Sequence, residues 1–261
     1  MVATASERDL KVRSILISQP KPENLRSPYF EFEKKYKVKI DFRQFIHVED
    51  VAIKEFRKSR VELNSYSGVI LNSRNAIDHF FRISGEMRVH MSQNTKYFCQ
   101  SEAIALYLQK YIQYRKRKVF YGNGSFSDLT KLLLKYKDTE KILFPCSVQH
   151  NHMLSDFLIA NEFDFKESPI YQTVSSDLSD LENITYDVLV FFSPLGLKSL
   201  FENFPDFKQN DTRIAAFGTA TKQAVLDAGL MLDIAAPIPE APSMAMSIEQ
   251  YLKKVNNVSR K

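Results

Sequence analysis

The chain has 261 residues, of which 44% are hydrophobic and 26% charged, and this composition excludes a disordered, collagen-like or fibrous protein. The length fits one large domain or two of modest size. Only seven of the 261 residues are glycine, a share well below the usual one of about 7%. This shortage disfavours nucleotide-binding enzymes with glycine-rich phosphate loops. The net charge of +5 favours an anionic partner, and nucleic acid, phosphate and polycarboxylates all stay open.

The cysteines and the apolar runs indicate a compartment. Cys99 and Cys146 have no metal-ligand spacing, and one pair cannot serve as a disulfide framework, which favours a reducing environment. Residues 1–13 are polar and charged, unlike a secretory signal. The longest apolar run, residues 188–192, is far shorter than the roughly 20 residues of a membrane span. We therefore expect a cytoplasmic protein without a membrane partner.

Short apolar runs recur along the chain, and each is followed by apolar positions at helical spacing. This alternation is typical of parallel sheets covered by helices. The predicted strands are residues 13–18, 68–71, 96–99, 119–121, 142–144, 188–192, 213–217 and 232–235, with longer and less apolar strands at 40–47 and 166–174. The clearest helical stripes are Ile104, Tyr107, Leu108 and Tyr111; Leu129, Leu132, Leu133 and Tyr136; Leu197, Leu200, Phe201 and Phe204.

The two halves of the chain carry a repeat. Residues 68–81 align with residues 188–201, which places Ser73 opposite Ser193. The same comparison pairs residues 14–18 with 141–145, 95–103 with 212–220, and 118–122 with 231–235. A period this long indicates domain duplication rather than a solenoid. The predicted fold class is therefore α/β, with two similar domains, each a parallel sheet flanked by helices.

The two longer predicted strands, residues 40–47 and 166–174, occupy equivalent places after the first strand and helix of each unit. They are candidates for a two-stranded connection between the domains. Duplicated domains side by side would form a cleft, and small-molecule sites concentrate at domain interfaces.

Hydroxyl side chains follow several predicted strands, where ligands of open α/β sheets gather. A helix N-terminus presents free N–H groups and a partial positive charge, which suit a carboxylate or phosphate. A single hydroxyl would more often only cap its helix, but several in equivalent positions favour an anion site. The candidates are Ser73, Ser101, Ser193, Gly218, Thr219 and Thr221.

Three other motifs are interpreted as structural. Residues 150–152, His-Asn-His, lack a third ligand at a known spacing, so we expect a solvated loop and no metal site. Residues 122–124, Gly-Asn-Gly, begin like a dinucleotide fingerprint, but Ser127 replaces the next glycine. The basic residues 115–118 are expected at a solvated edge, and no nucleic-acid partner is predicted.

The order of six segments resembles the uroporphyrinogen-III synthase family. They are ILNSRNAIDHFF (70–81), ILFPCSVQH (142–150), SPIYQTVSSDLSDL (168–181), VLVFFSPLGLKSLF (188–201), RIAAFGTATKQAVLDAGL (213–230) and APIPEAPSMAMSIEQYL (236–252). The resemblance implies two α/β domains joined by a two-stranded β-ladder. Residues 1–41 and 175–261 would form one domain, residues 49–167 the other, and residues 42–48 and 168–174 the ladder.

The resemblance also implies an activity. The family is a cofactor-free and metal-free lyase of tetrapyrrole, porphyrin and haem biosynthesis. It cyclises hydroxymethylbilane, which carries eight carboxylates, to uroporphyrinogen III in the inter-domain cleft, with loss of water and inversion of ring D through a spirocyclic intermediate. Substrate handover from hydroxymethylbilane synthase and a monomeric state are further expectations.

Tyr171 matches the tyrosine proposed in this family to donate a proton or hydrogen bond to the departing hydroxyl, and its alternative role is packing in the ladder. Ser73, Ser193 and Thr221 match family positions near the cleft. With Ser101, Gly218 and Thr219 they complete the predicted substrate-binding set.

Three positions depart from the family pattern. Ala220 stands where a first threonine is common, Leu195 where a second serine is common, and Gln19 where bacterial members often have arginine. Two alternatives stay open. One is a non-catalytic anion-binding or regulatory protein on the same duplicated fold. The other is a basic nucleic-acid-binding module, which the dispersed charge disfavours.

Overall fold

The computed structural model describes residues 10–24, 26–182 and 184–256. The chain divides into two compact units, unit 1 within Met1–His47 and Val174–Lys261, and unit 2 within Val48–Thr173. No helix among these described residues is both long and apolar enough to cross a membrane.

Strands and helices alternate along the described chain. The strands are β1 (Ser14–Ile17), β2 (Lys39–Phe42), β3 (Ile46–Asp50), β4 (Gly68–Leu71), β5 (Lys96–Cys99), β6 (Val119–Tyr121), β7 (Ile142–Ser147), β8 (Phe165–Ser175), β9 (Val188–Phe191), β10 (Arg213–Phe217) and β11 (Leu232–Ala236). The α-helices are α1 (Pro28–Tyr36), α2 (Ile53–Lys58), α3 (Arg74–Glu86), α4 (Glu102–Tyr107), α5 (Phe126–Leu134), α6 (Met153–Ala160), α7 (Pro194–Asn203), α8 (Thr219–Asp227) and α9 (Met244–Asn256).

Unit 1 is built on a parallel sheet with the strand order β11-β10-β9-β1-β2. Successive side chains of a strand point to opposite faces, so each face collects alternate residues. Ile15 and Ile17 of β1 pack on one face with apolar residues of α1 and α9. Leu16 packs on the other face with Leu197 of α7 and Val225 of α8. Burial on both faces explains why these strands are almost uniformly apolar.

Unit 2 follows the same principle, with the strand order β3-β8-β7-β4-β5-β6. Each neighbouring pair of strands in the order β8-β7-β4-β5-β6 is parallel. Val69 and Leu71 of β4 pack with Phe80 of α3 on one face. Ile70 packs with Leu133 of α5 and other apolar residues of α5 and α6 on the opposite face.

The strand orders confirm the repeat. Unit 1 runs β2-β1-β9-β10-β11, and unit 2, apart from β3 at its edge, runs β8-β7-β4-β5-β6, which is the pairing that the sequence alignment of the halves predicts. The predicted fold class of two parallel sheets flanked by helices is therefore confirmed. In each sheet the order in which successive strands are added reverses at one point, between β1 and β9 or between β7 and β4. Such switch points commonly bind ligands at the carboxyl ends of their strands.

The single strand predicted over residues 40–47 is wrong, because two strands of different sheets share that segment. β2 pairs with β1 in unit 1, and β3 lies beside β8 in unit 2. Between them Phe45 is 1% exposed and packs edge-on against Phe191, with the ring centroids 5.8 Å apart. The Phe45 carbonyl accepts a hydrogen bond from Ser199 Oγ at 2.6 Å. These contacts bury Phe45 in unit 1 and interrupt the strand.

The ladder between domains stays a prediction. β3 and β8 are hydrogen-bonded neighbours at the edge of the unit 2 sheet, and the division between the units falls within both strands. β7 and β8 also extend beyond the predicted residues 142–144 and 166–174.

Candidate active site

Ser73 caps the N-terminus of α3 at the carboxyl end of β4, beside the switch point of unit 2. Its backbone is extended, and its Oγ accepts a hydrogen bond from the backbone N–H of Ala76 at 3.0 Å. Asn72, the preceding residue, has a buried Oδ1 with no hydrogen-bond partner among the described residues. The end of β4 therefore carries two side-chain acceptors. Ser73 Oγ is already hydrogen-bonded, and Asn72 Oδ1 has no hydrogen-bond partner among the described residues.

Tyr171 lies on β8, next to the carboxyl end of β7. It pairs with Ser147, the last residue of β7, and it is 8% exposed. Its hydroxyl lies 3.3 Å from Ser73 Oγ, so β8 and the first turn of α3 bring these two predicted site residues together. Burial raises the pKa of Tyr171, and the hydrogen bond with Ser73 only partly opposes that effect. The phenol is therefore protonated at neutral pH.

His79 belongs to this site, although the sequence analysis did not identify it. Its ring stacks on Tyr171 with the centroids 4.9 Å apart and the planes at 18°. Its Nδ1 lies 2.7 Å from Asp50 Oδ1, and Arg82 Nε lies 3.0 Å from the same oxygen. Burial lowers the pKa of His79 more than the Asp50 carboxylate raises it. An imidazole with a lowered pKa therefore packs flat against the phenol ring.

Ser101 lies one strand further along, at the end of β5. It precedes α4, a helix of six residues, and its side chain makes no capping hydrogen bond. Its backbone forms an isolated bridge with Asn123, which anchors the following loop. The Ser101 hydroxyl is thus not committed to capping, and its role in substrate binding stays a prediction.

Ser193 occupies in unit 1 the place that Ser73 has in unit 2. It caps α7, and its Oγ accepts a hydrogen bond from Gly196 N at 3.1 Å. A Cβ on Gly196 would lie 3.5 Å from Ser193 Oγ and 3.8 Å from Ser18 Oγ, so the glycine sits between these two hydroxyls. Ser18 follows β1 across the switch point, and its position at the end of a predicted strand was a signal that the sequence analysis did not use.

Gly218 and the two threonines surround the start of α8. Gly218 has φ +82°, a conformation that favours glycine, and it precedes the exposed Thr219. Thr221 is only 2% exposed, so its side chain is buried. Substrate contacts of all three stay predictions.

The loop at residues 150–152 is the predicted solvated loop only in part, because Asn151 and His152 are exposed but the His150 side chain is largely buried. The His150 side chain is 9% exposed, and its Nε2 lies 3.0 Å from Glu167 Oε1 of β8. The parallel pairing of β7 with β8 brings Glu167 beneath the loop, a contact between segments that sequence spacing could not show.

A family model and solved structures point to the same family of proteins. The family model described as uroporphyrinogen-III synthase HemD matches residues 42–246. The uroporphyrinogen-III synthetase of Helicobacter pylori 26695 has a similar structure, with 15% identity and a TM-score of 0.58 over 92% of this chain and 99% of that one. A mutant uroporphyrinogen III synthase of the extremely thermophilic bacterium Thermus thermophilus has 13% identity and a TM-score of 0.53 over 93% and 99% of the two chains. A search of curated protein sequences gave no match. The structural likenesses show the fold.

Proposed function

The chain belongs to the uroporphyrinogen-III synthase family, and we propose that it is a cyclising lyase that converts hydroxymethylbilane into uroporphyrinogen III with inversion of ring D. The observation that carries this proposal is the family match over residues 42–246, which includes most of both units. The site of unit 2 adds a chemical argument, because it contains a buried phenol beside a helix N-terminus at a switch point.

The first chemical step is loss of the hydroxymethyl oxygen as water. The carbon–oxygen bond breaks as a pyrrole nitrogen supplies electrons, which leaves an azafulvenium cation. The oxygen departs as hydroxide and takes up a proton from solvent to become water. The raised pKa makes the Tyr171 phenol a weaker acid that stays protonated, so it would donate a hydrogen bond to the departing oxygen rather than surrender its proton. Such a preorganised donor stabilises the charge that develops on the oxygen.

The later steps depend on geometry. The ring D carbon that already carries the bridge to ring C attacks the cation to form the proposed spirocyclic intermediate. The bond from this carbon to that bridge then breaks, which leaves a second azafulvenium cation on ring C. The free α-carbon of ring D attacks this cation and loses a proton, so the macrocycle closes with ring D inverted. Because the cation also cyclises spontaneously to the uninverted isomer, the enzyme must hold the rings in the orientation that leads to type III. Orientation alone contributes several kcal/mol to such reactions.

The carboxylates of the substrate would be held by helix N-termini. In unit 2 the candidate is the start of α3 at Ser73, with Ser101 at the neighbouring strand end. In unit 1 the candidates are the start of α7 at Ser193 and that of α8 at Gly218 and Thr219. Free N–H groups and the positive end of the helix dipole suit carboxylates at each place.

Other features of the proposal come from the sequence analysis alone. Catalysis in a cleft between the units, the spirocyclic intermediate, a monomeric state, a cytoplasmic location and handover from hydroxymethylbilane synthase all stay predictions.

A coupled assay tests the proposal. Hydroxymethylbilane is generated by its upstream synthase, the protein is added, the products are oxidised, and the type I and type III isomers are separated by chromatography. We expect type III product with the protein and only type I without it. Type I alone in both reactions would reject the enzyme and leave an anion-binding protein on the same fold.

A further inference from the structure

Three potential metal ligands meet in unit 2, on the loop between β7 and α6 and on β8. One ligand atom from each of His150, His152 and Glu167 can be chosen so that all three lie within 4.8 Å of one another. We propose that these side chains form a binding site for a divalent transition metal of the zinc class. This inference stands independently of the proposed synthase activity.

The hydrogen bonds of His150 fix which ring nitrogen can bind a metal. Its Nδ1 lies 2.9 Å from the carbonyl oxygen of Ser147, and because a carbonyl can only accept, Nδ1 must carry a proton. In the neutral ring Nε2 is then unprotonated, and it faces the Glu167 carboxylate at 3.0 Å. Two acceptors at this distance need a proton or a metal ion between them.

The surroundings of these two ligands are those of a metal site. Metal-binding histidines commonly donate their other N–H to a backbone carbonyl, as His150 does to Ser147, and this contact fixes the tautomer. The hydroxyl of Ser155, on α6, donates a hydrogen bond to Glu167 Oε1. Ser155 thus orients the carboxylate in the same way that Ser147 orients the imidazole.

His152 supplies the third ligand from an exposed position. It precedes α6 as the N-cap residue, and its side chain makes no capping hydrogen bond. Its ring centroid lies 4.6 Å from that of His150. Ligands bound at about 2.0–2.2 Å from a tetrahedral ion lie about 3.3 Å from each other. The His150–Glu167 pair is already near that spacing, and a small rotation of the exposed His152 would complete it.

The type of ligand selects the metal. Two imidazoles and one carboxylate suit zinc and its neighbours, whereas magnesium and calcium prefer oxygen ligands throughout. Three protein ligands leave the fourth position of a tetrahedral site for water.

By binding side chains of both, the metal would link the segment of residues 147–152 to β8. The loop already contacts this strand, because Val148 N donates a hydrogen bond to the Tyr171 carbonyl at 2.8 Å, and Gln149 Oε1 accepts one from Thr173 N at 2.9 Å. Metal binding would add metal–ligand bonds to these hydrogen bonds, so its main effect would be stabilisation of unit 2.

Equilibrium dialysis of the full, tag-free chain against zinc chloride tests this proposal, with magnesium chloride in a parallel dialysis. The His152→Ala variant removes one ligand at an exposed position, and His90→Ala is the matched control because His90 is an exposed histidine elsewhere in unit 2. Loss of a mere supporting contact weakens metal sites by roughly 10–100-fold, so loss of a ligand should weaken zinc binding by at least about 10-fold. We expect one zinc ion per wild-type chain, and the His90→Ala variant should bind zinc like the wild type.

Thermal unfolding provides a second readout that does not depend on activity. Zinc should raise the unfolding temperature of the wild type and of His90→Ala, and it should have little effect on His152→Ala. Absence of stoichiometric zinc in the wild type, equal affinity in His152→Ala, or equal binding of magnesium would overturn the proposal and leave His150 and Glu167 as an ion pair.

Discussion

The hydroxyl of Tyr171 lies 3.3 Å from Oγ of Ser73, and that oxygen also accepts the hydrogen bond that caps α3. One serine therefore starts a helix and positions a buried phenol. Because the two roles act on different quantities, stability and catalysis, separate measurements of the two can distinguish them.

Substitution of Ser73 by alanine should lower both stability and activity. Loss of the cap removes about 1 kcal/mol from the free energy of unfolding, and loss of the contact with Tyr171 should reduce the rate of type III formation partially, because the backbone N–H groups of α3 stay in place. Urea unfolding and the coupled isomer assay measure the two effects.

Ser125→Ala is the matched control for that variant. Ser125 caps α5 through a hydrogen bond from Asp128 N at 3.2 Å, also in unit 2. We expect a similar loss of stability without a loss of activity. An equal decrease of activity in both variants would contradict a specific role of Ser73.

His79 should act as a positioning residue for Tyr171. Because its ring stacks on the phenol, the His79→Ala variant should lower kcat with a smaller change of KM, as expected when a group is misplaced in the transition state. His79→Phe keeps a flat ring there and should restore much of the rate. Equal defects in both variants would show that the imidazole itself, rather than its packing, is required.

The lowered pKa of His79 predicts a change of stability in acid. Burial depresses this pKa below its ordinary value of 6.5, so the unfolded chain binds the proton more tightly than the folded one. The stabilisation by neutral His79 is therefore complete above pH 6.5 and is lost as the pH falls through the folded-state pKa.

The free energy of unfolding, measured from pH 7.5 down to about pH 5, should consequently fall more steeply for the wild type than for His79→Phe. Parallel curves would exclude His79 as the source of this dependence.

Gly218 should tolerate alanine poorly for a reason of backbone conformation alone. A Cβ at this position would contact nothing within 4 Å, but φ is +82° and ψ is 154°, a region almost restricted to glycine. We expect Gly218→Ala to lower the free energy of unfolding by about 1–3 kcal/mol. Gly85→Ala is the control, because Gly85 lies in α3 with open space around it. It should stabilise the protein by roughly 0.5–1 kcal/mol, and equal effects of the two variants would contradict the argument.

The sequence predicts the sheets well because their signal is local. β4 and β9 are buried on both faces, which requires uninterrupted apolar runs that stand out in the sequence. The repeat then assigns equivalent places to these strands, and the observed strand order agrees. The helix caps Ser73 and Ser193 are local features in the same sense, since each bonds a residue of its own first helical turn.

The remaining features arise from contacts between distant segments. Residues 40–47 alternate between apolar and polar side chains, and only the tertiary structure shows that two sheets share them, with Phe45 buried against Phe191 between the two strands. His79 and Glu167 acquire their partners through the placement of β8 beside α3 and beside the loop after β7. No spacing within one segment could have identified either residue.

The isomer ratio formed by Tyr171→Phe tests the central claim most directly. This variant removes only the hydroxyl and keeps a ring to stack on His79. Tyr186→Phe is the matched control, because Tyr186 is also 8% exposed and bonds Asp41 at 3.0 Å in unit 1. We predict that Tyr171→Phe, folded as judged by its unfolding curve, forms type III product about 100-fold more slowly, so that type I predominates, while Tyr186→Phe keeps the wild-type ratio. A wild-type rate and ratio in Tyr171→Phe would contradict the account.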